Sequence, residues 1–504
     1  MKEIGKATMR VTRIPLVDGN GKTKTQTPRP LTIRKVLVAI CGAFLAMFVV
    51  LVAKNITQPQ IEYSEGFMLY NARLFSNGWN WQMGTEAPFH VAFYTPVIWH
   101  TLGFLFKVFG ESLLVARLFN LACCIGCLVM VYLITHNQTK DKLVSMIAAA
   151  LPMTVLTMMG WSFFIRADLM AVLFDLVGVF IVLKYHKTSA VYWAIPIFLL
   201  AWYTKQSTVA GVVASCIYLL FQNRKLGVKF TVIFGTVFLA LLGVFQITTN
   251  GEFIRNILLY QGTVPSFQHP LNILWTLLTS AGLYLPTLIL SGIWLKGNYK
   301  HFLSIFAVVA LVVNVLTLLH TGGTINYLFE TIFAMSVLAG LYLGKSEWTE
   351  AKTFITLLCS MALLGMLFYS AIWGYKSAFP SQQYWNEYQE AVSLISDSDY
   401  PILSENAGIV MDAGKIPYYE PFVFGNLARL CYFDESLVLA DLASNKIDYV
   451  ITQYQLPYTK VQRLSDKVQE AIIENYHMVL DASENSEKGY GFVVYEANNK
   501  IGVD

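Results

Sequence analysis

Ala92-Phe93-Tyr94-Thr95-Pro96-Val97-Ile98-Trp99-His100-Thr101-Leu102-Gly103-Phe104-Leu105-Phe106-Lys107-Val108-Phe109-Gly110 is apolar enough to cross a bilayer, yet it carries Tyr94, Pro96, His100 and Lys107. It either adds a span or lies flat in the interface as an amphipathic helix, and every later loop changes sides with that choice. Eleven other runs have span-like length and apolarity: Lys35–Ala53, Leu113–Ile134, Leu143–Trp161, Asp168–Tyr185, Ala190–Tyr203, Ser207–Phe221, Lys229–Ile247, Leu271–Leu295, Phe302–His320, Asn326–Leu343 and Thr353–Trp373. Cytoplasmic loops are enriched in Lys and Arg. With eleven spans the inside receives the basic tail, Lys140/Lys142, Lys184/Lys187, Arg224/Lys225/Lys229, Lys296/Lys300 and Lys345/Lys352. The outside keeps Lys54, Arg73, Arg166, Lys205 and Arg255. A twelfth span at residues 92–110 would put most of the later basic charge outside, so the flat reading is retained.

Composition agrees with a membrane protein. Of the 504 residues 55% are hydrophobic and 13% charged, and mean hydropathy is +0.51; a soluble globular chain carries about 25% charged residues. This excludes a soluble enzyme, a disordered chain and a nucleic-acid binder. The formal net charge of +4 divides into +14 over residues 1–375 and −10 over residues 376–504. The expected organisation is a cytoplasmic basic tail (1–34), a polytopic α-helical body of about 11 transmembrane helices (35–375) and an acidic soluble domain (376–504). An odd span count places that domain outside. The first span has no small-residue cleavage pattern after it and reads as a retained anchor, not a signal peptide.

Beyond Pro380 the pattern predicts strands at Pro401–Ser404, Tyr449–Thr452 and Phe492–Tyr495, with helices at Gln382–Ile395 and Val461–Asn475. The C-terminal domain therefore reads as α/β. It contains no phosphate loop and no metal box. Cys123, Cys124 and Cys127 lie in an apolar run without a nearby His, as small packing residues do. Cys431 is the lone cysteine outside, too few for a disulfide framework.

The expected outer surface gathers the informative charges. The first outside loop holds Glu62, Glu65, Arg73, Glu86 and His90, and short turns add Arg166 with Asp168, Lys205 with Gln206, and residues 320–326. Each alone fits a solvated helix end. Together they put carboxylates on a loop and cations on neighbouring turns, and ionisable groups that point into a bundle tend to be functional. Asp175 lies two turns below Asp168 on the same face, and Glu330 one turn into its span after Tyr327; an interhelical hydrogen bond is the structural alternative for both. A carboxylate can serve as general base, and Arg and Lys can neutralise a leaving phosphate. That combination suits transfer from a lipid-linked phosphate.

With these motifs the sequence resembles the GT-C glycosyltransferases, specifically bacterial relatives of the protein O-mannosyltransferases and of the lipid A aminoarabinose transferase. Glu62-Tyr63-Ser64-Glu65-Gly66 through Asn77-Gly78 is similar to the family's acidic first-loop motif. Tyr94-Thr95-Pro96 through Trp99, ending at Phe109-Gly110-Glu111-Ser112 and Arg117-Leu118, resembles its Tyr/Pro-Pro element and flat helix. Arg166-Ala167-Asp168, Thr204-Lys205-Gln206 and Gly322-Gly323 with Asn326, Tyr327 and Glu330 resemble later turns. Two departures stand out: the family's adjacent Asp-Glu is a spaced pair of Glu residues here, and the second Pro is Val97.

The resemblance implies a polyprenyl-phosphate sugar donor and inversion at the anomeric carbon. Glu65 is the first choice for the base because it directly precedes Gly66, with Glu62 sharing or orienting. Arg166, Asp168, Lys205, Gln206, Tyr94, Arg117, Asn326, Tyr327 and Glu330 are the expected donor phosphate and sugar ligands. Some relatives use a divalent cation near the acidic motif, and no decisive ligand set is present, so metal stays open. The acceptor (protein, lipid or polysaccharide) also stays open, and the expected location is the cytoplasmic membrane. Two other classes compete. A transporter or flippase predicts paired broken helices and ionisable groups at mid-membrane depth, but only Asp175 sits deep and no internal repeat is visible. A non-catalytic scaffold needs one span rather than eleven.

Overall fold

A computed structural model describes residues 30–262, 267–279, 284–320, 322–374, 380–458, 463–484 and 491–498. The helical body comprises α1 Pro30–Asn55, α2 Glu65–Ser76, α3 Pro96–Phe109, α4 Leu113–Thr139, α5 Lys142–Ala150, α6 Leu156–Trp161, α7 Asp168–Tyr185 and α8 Ala194–Thr204. It continues with α9 Ala210–Gln222, α10 Arg224–Thr248, the single turn α11 Glu252–Ile254, α12 Gln268–Thr279, α13 Leu285–Asn298, α14 Phe302–Thr317, α15 Phe329–Lys345 and α16 Glu350–Tyr369. Among the described residues five helices are long and apolar enough to cross a membrane: Leu31–Asn55, Leu113–Thr139, Arg224–Thr248, Ile325–Lys345 and Glu350–Ile372. This is a multi-pass membrane protein.

The other six expected runs are shorter, charged or interrupted helices. Proline explains the interruptions, because it cannot donate to an i−4 carbonyl but is tolerated in a first turn. Pro152 divides the run at Leu143–Trp161 into α5, a 3-10 turn at Leu151–Thr154 and α6. Pro196 sits in the first turn of α8, preceded by a 3-10 turn at Ser189–Trp193. Pro286 opens α13, so the run at Leu271–Leu295 is carried by α12 and α13, with residues 280–283 between them outside the described set.

The segment quoted at the outset forms α3, with Pro96 at its N-terminus and Gly110 (φ +85°) ending it. It packs chiefly on α2, a helix of the first loop, and on α8. Trp99 is fully buried and stacks on Phe75 with ring centroids 5.8 Å apart, while Phe104 and Phe109 are exposed. A helix that buries one face on a loop helix and bares another supports the flat reading. At the opposite end of the bundle, cations close α15: Lys352 Nζ donates to the carbonyls of Tyr342, Leu343 and Ser346, and Arg34 to that of Leu343. Positive charge at a helix C-terminus is stabilising there.

Among the described residues the C-terminal unit is a mixed four-stranded sheet covered by helices: α17 Gln382–Ile395, β1 Leu403–Ser404, α18 Ala407–Asp412, α19 Pro421–Arg429, α20 Ser436–Ala443, β2 Tyr449–Thr452, α21 Asp466–Asn475, β3 Tyr476–Ala482 and β4 Phe492–Ala497. The strand order is β1-β2-β4-β3, with β1 parallel to β2 and the other pairs antiparallel. Alternation along β4 sends Val493 and Tyr495 into one core and Phe492 and Val494 into the other. Helix α17 has the expected bounds, and α21 begins at Asp466 rather than Val461, with residues 459–462 outside the described set. Strand β3, whose centre is exposed or half-buried, has no expected counterpart.

The first loop completes this unit. Phe89 and Val91 are buried in one of its cores, the Phe89 N–H donates to the Tyr418 carbonyl at 2.9 Å, and Ile61 packs against the other core. Gln60 Oε1 accepts from the N–H groups of both Gly66 (3.0 Å) and Gly408 (2.6 Å). A Cβ on Gly66 would lie 2.5 Å from the Ala407 carbonyl carbon and 2.6 Å from Gln60 Oε1, so this close approach requires glycine.

Beneath it, Glu65 and Arg117 form a fully buried bidentate pair, Nε–Oε1 2.8 Å and Nη2–Oε2 2.6 Å. Arg117 also donates to the carbonyls of Asn55, Ile56, Gln58 and Pro59. Glu65 Oε2 accepts from the N–H groups of Ile61 and Glu62. This fastens the α1–α2 connection to α4. Removing one partner of a buried pair leaves an uncompensated charge and costs about 3–5 kcal/mol. Glu65→Gln is therefore expected to lower the thermal unfolding midpoint in detergent by that equivalent. Overpacking at Gly66→Ala is expected to cost about 1–3 kcal/mol in the same measurement and to increase proteolysis between the first loop and the C-terminal unit.

Candidate active site

The turn before α7 is built by α4. Asn120 Nδ2 donates to the carbonyls of Trp161, Ser162 and Phe164 at 3.1, 3.3 and 2.6 Å. Satisfying these buried carbonyls lets the chain turn sharply and presents Arg166 and Asp168 on either side of Ala167. Arg166 Nη2 donates to Glu62 Oε1, its Nη1 lies 3.4 Å from the Tyr94 hydroxyl, and its guanidinium sits 4.8 Å from the Trp161 ring centroid. The Glu62 and Arg166 side chains remain 16% and 17% exposed, so this pair, unlike Glu65–Arg117, is reachable. The other Glu62 oxygen accepts from Ser64 N–H (3.0 Å) and Oγ (2.8 Å).

A second pair lies beside the first. Asp168 Oδ1 accepts from Lys205 Nζ at 2.5 Å and from Asn326 Nδ2 at 2.8 Å. Lys205 Nζ is 4.0 Å from the Tyr327 ring centroid, and Thr324 Oγ1 donates to Asn326 Oδ1 at 2.6 Å. Asp168 Oδ2 and Arg166 Nε are buried without a hydrogen-bond partner; unsatisfied buried polar atoms ask for a ligand or solvent. Burial works against the Arg166 charge, but Glu62, Tyr94 and Asp168 outweigh it and hold the guanidinium above its usual pKa. Burial pushes the Tyr94 phenol up to about 12, with Arg166 and Lys205 pulling against it. Tyr94 thus stays a neutral hydroxyl in contact with the field of both ion pairs.

Seven of the expected residues therefore converge: Glu62, Tyr94, Arg166, Asp168, Lys205, Asn326 and Tyr327. Four stand apart. Glu65, the first choice for the base, has both oxygens committed to Arg117 and to backbone amides and is fully buried; Arg117 belongs to the same lock rather than to the cluster around Arg166 and Asp168. Gln206 Nε2 holds the carbonyls of Phe93 and Ile257 at 3.3 and 3.2 Å. Glu330 lies in α15, where Oε2 accepts from Asn314 Nδ2 at 2.8 Å; Asp175 is buried in α7, its carboxylate packed on Gly211. Asn120, Trp161 and Thr324 are contributors that the sequence reading missed. Asn120 had a readable signal: a polar residue three positions after Arg117 in an otherwise apolar span.

The acidic residues here do not fit a divalent-cation ligand set. Among the described residues no three His, Cys, Asp or Glu side chains group to hold a metal, and Glu62 and Glu65 of the first loop are taken by guanidinium groups. What the cluster offers instead is one accessible carboxylate, two cations with exchangeable partners and a neutral phenol, the donor set for an anionic ligand and a proton transfer.

Known proteins resemble this chain in sequence over one stretch and in fold over most of its length. Residues 94–247 match the family model described as dolichyl-phosphate-mannose-protein mannosyltransferase, a stretch that includes Tyr94, Arg117, Arg166, Asp168 and Lys205. No curated protein matches the chain in sequence. Among solved structures, apo ArnT from Cupriavidus metallidurans superposes with a TM-score of 0.57 at 11% identity, covering 90% of this chain and 96% of that one. ArnT from the same organism bound to undecaprenyl phosphate gives 0.53 at 12% identity, covering 92% and 97%. An oligosaccharyltransferase from Archaeoglobus fulgidus, in complex with Zn and sulfate, gives 0.50 at 12% identity, covering 82% and 67%. The chain thus has the fold of the GT-C membrane proteins and, over residues 94–247, matches the mannosyltransferase family model.

Proposed function

We propose that this protein is a glycosyltransferase that moves a sugar from a polyprenyl-phosphate donor to an acceptor at the outer face of the cytoplasmic membrane. The observation that carries the reading is the pairing of accessible Glu62 with Arg166 beside the Asp168–Lys205–Asn326 cluster. The mannosyltransferase-family match over residues 94–247, which hold Arg166, Asp168 and Lys205, and the likeness to a protein solved with undecaprenyl phosphate support the donor class.

Without ligand the four charges cancel as two ion pairs. An incoming donor phosphate competes for Arg166 and Lys205, because a guanidinium binds phosphate bidentately and an ammonium binds it as a point charge. That exchange frees the Glu62 carboxylate beside the anomeric centre. Glu62 then takes the proton of the acceptor's nucleophilic group as the new bond to the anomeric carbon forms. The bond from that carbon to the phosphate oxygen breaks, the polyprenyl phosphate leaves with the electron pair, and the configuration inverts. Arg166 and Lys205 hold the charge that develops on the leaving phosphate. Asp168 and Asn326 orient Lys205, and Tyr94 donates a neutral hydroxyl beside Arg166. The reading moves the base from Glu65 to Glu62, and no step is routed through a metal.

The test is turnover of a panel of polyprenyl-phosphate sugars by purified wild type and Glu62→Gln. General-base removal is expected to lower kcat about 100- to 10,000-fold with an unchanged unfolding midpoint; equal turnover would remove Glu62 from the mechanism. Lys205→Gln and Arg166→Gln are each expected to raise the donor KM by about tenfold or more, the loss of one hydrogen bond to a charged group.

A further inference from the structure

We propose that the C-terminal unit holds the catalytic loop in register by clamping Tyr63, the residue that follows Glu62, with Arg463 and Glu420 as positioning residues. The proposal rests on the transferase reading above.

Three observations converge on Tyr63. The Arg463 guanidinium lies 3.8 Å from its ring centroid. Its hydroxyl accepts the Phe422 N–H at 3.1 Å and faces the Glu420 carboxyl. Arg463 is itself anchored, since Nη1 donates to Gln453 Oε1 at 2.5 Å and lies 3.8 Å from Glu405 Oε1. Glu405 is fastened in turn by the Tyr458 hydroxyl and the Gln453 N–H, both at 2.6 Å. The same C-terminal segment reaches a second wall of the site. The Phe422 ring crowds Gly322, where a Cβ would come within 2.9 Å of Phe422 Cζ and of His320 Cε1. Gly322 lies four residues before Asn326, which binds Asp168. One stretch, Glu420–Phe422, thus touches both the loop that carries Glu62 and the turn that carries Asn326.

Simple packing between two units would explain an apolar contact here, but not this chemistry. Apolar surfaces tolerate small slips, whereas a hydrogen-bonded polar network is satisfied in one geometry. A general base must be held within about 0.5 Å of its productive position, and Glu62 sits on a loop without regular structure. A polar clamp on its neighbour supplies that register.

The experiment compares wild type with Tyr63→Phe, Arg463→Ala and Arg463→Lys in the full chain, using the polyprenyl-phosphate sugar that wild type turns over. Tyr63→Phe keeps the ring beneath Arg463 and removes only the hydroxyl. Expected for Tyr63→Phe and Arg463→Ala are a kcat about ten- to a hundredfold lower, a donor KM within about twofold of wild type and faster amide exchange over Ile61–Gly66. Arg463→Lys, which keeps a cation over the ring, is expected to recover most of the Arg463→Ala loss. Unchanged exchange over Ile61–Gly66 in both variants overturns the clamp, and faster exchange with unchanged kcat overturns its positioning role. If wild type transfers none of the sugars offered, the transferase reading is what fails; the exchange measurement then still decides whether the clamp exists.

Discussion

The buried Glu65–Arg117 pair is the constraint on which the arrangement depends. Two charges withdrawn from water are tolerable only if every donor and acceptor is matched. Here the match is met by the carboxylate, two backbone N–H groups and four carbonyls of the α1–α2 connection. Meeting it leaves one path for residues 55–62. Glu65 points inward to Arg117, and Glu62, one turn earlier, points to Arg166. Two glutamates of one motif therefore have opposite circumstances, one sealed and one reachable, and the proposed chemistry uses the reachable one.

The second level is electrostatic. Each site cation rests on a carboxylate, Arg166 on Glu62 and Lys205 on Asp168, so the charges of the cluster balance and its members are partly desolvated without a net charge. An anionic ligand then gains by exchanging partners rather than by filling a bare positive pocket. The C-terminal unit completes the surroundings. Its cores take in Phe89, Val91 and Ile61 from the first loop, so the acidic unit is structurally continuous with the site and does not hang from the bundle as a free appendage.

Much of this was legible in the sequence, for physical reasons that can be named. The apolar run Asp168–Tyr185 and the helical pattern Gln382–Ile395 have the bounds of α7 and α17, and the segment 92–110 that loop charge kept out of the span count contains the short helix α3, whose inner face packs into the main core. Arg166, Asp168 and Lys205 stood out because ionisable residues in short turns are costly. The choice between Glu62 and Glu65 was not legible, because it depends on Arg117, 52 residues later, capturing one of them. Asn120 was visible as a polar residue in an apolar span, but its role was not, because the carbonyls it satisfies lie 41 to 44 residues later in the chain. Strand β3 escaped because an edge strand with an exposed centre shows no clean alternation. The proline breaks in Leu143–Trp161 and Leu271–Leu295 were visible as residues, but long apolar runs mask such interruptions.

The central claim is that donor phosphate takes the place of Glu62 on Arg166. A density map of the protein with a polyprenyl phosphate bound tests it most directly. The account predicts phosphate oxygens within hydrogen-bond distance of Arg166 and Lys205, with the Glu62 carboxylate released toward the acceptor side. A phosphate bound elsewhere while the Glu62–Arg166 pair stays closed would contradict it.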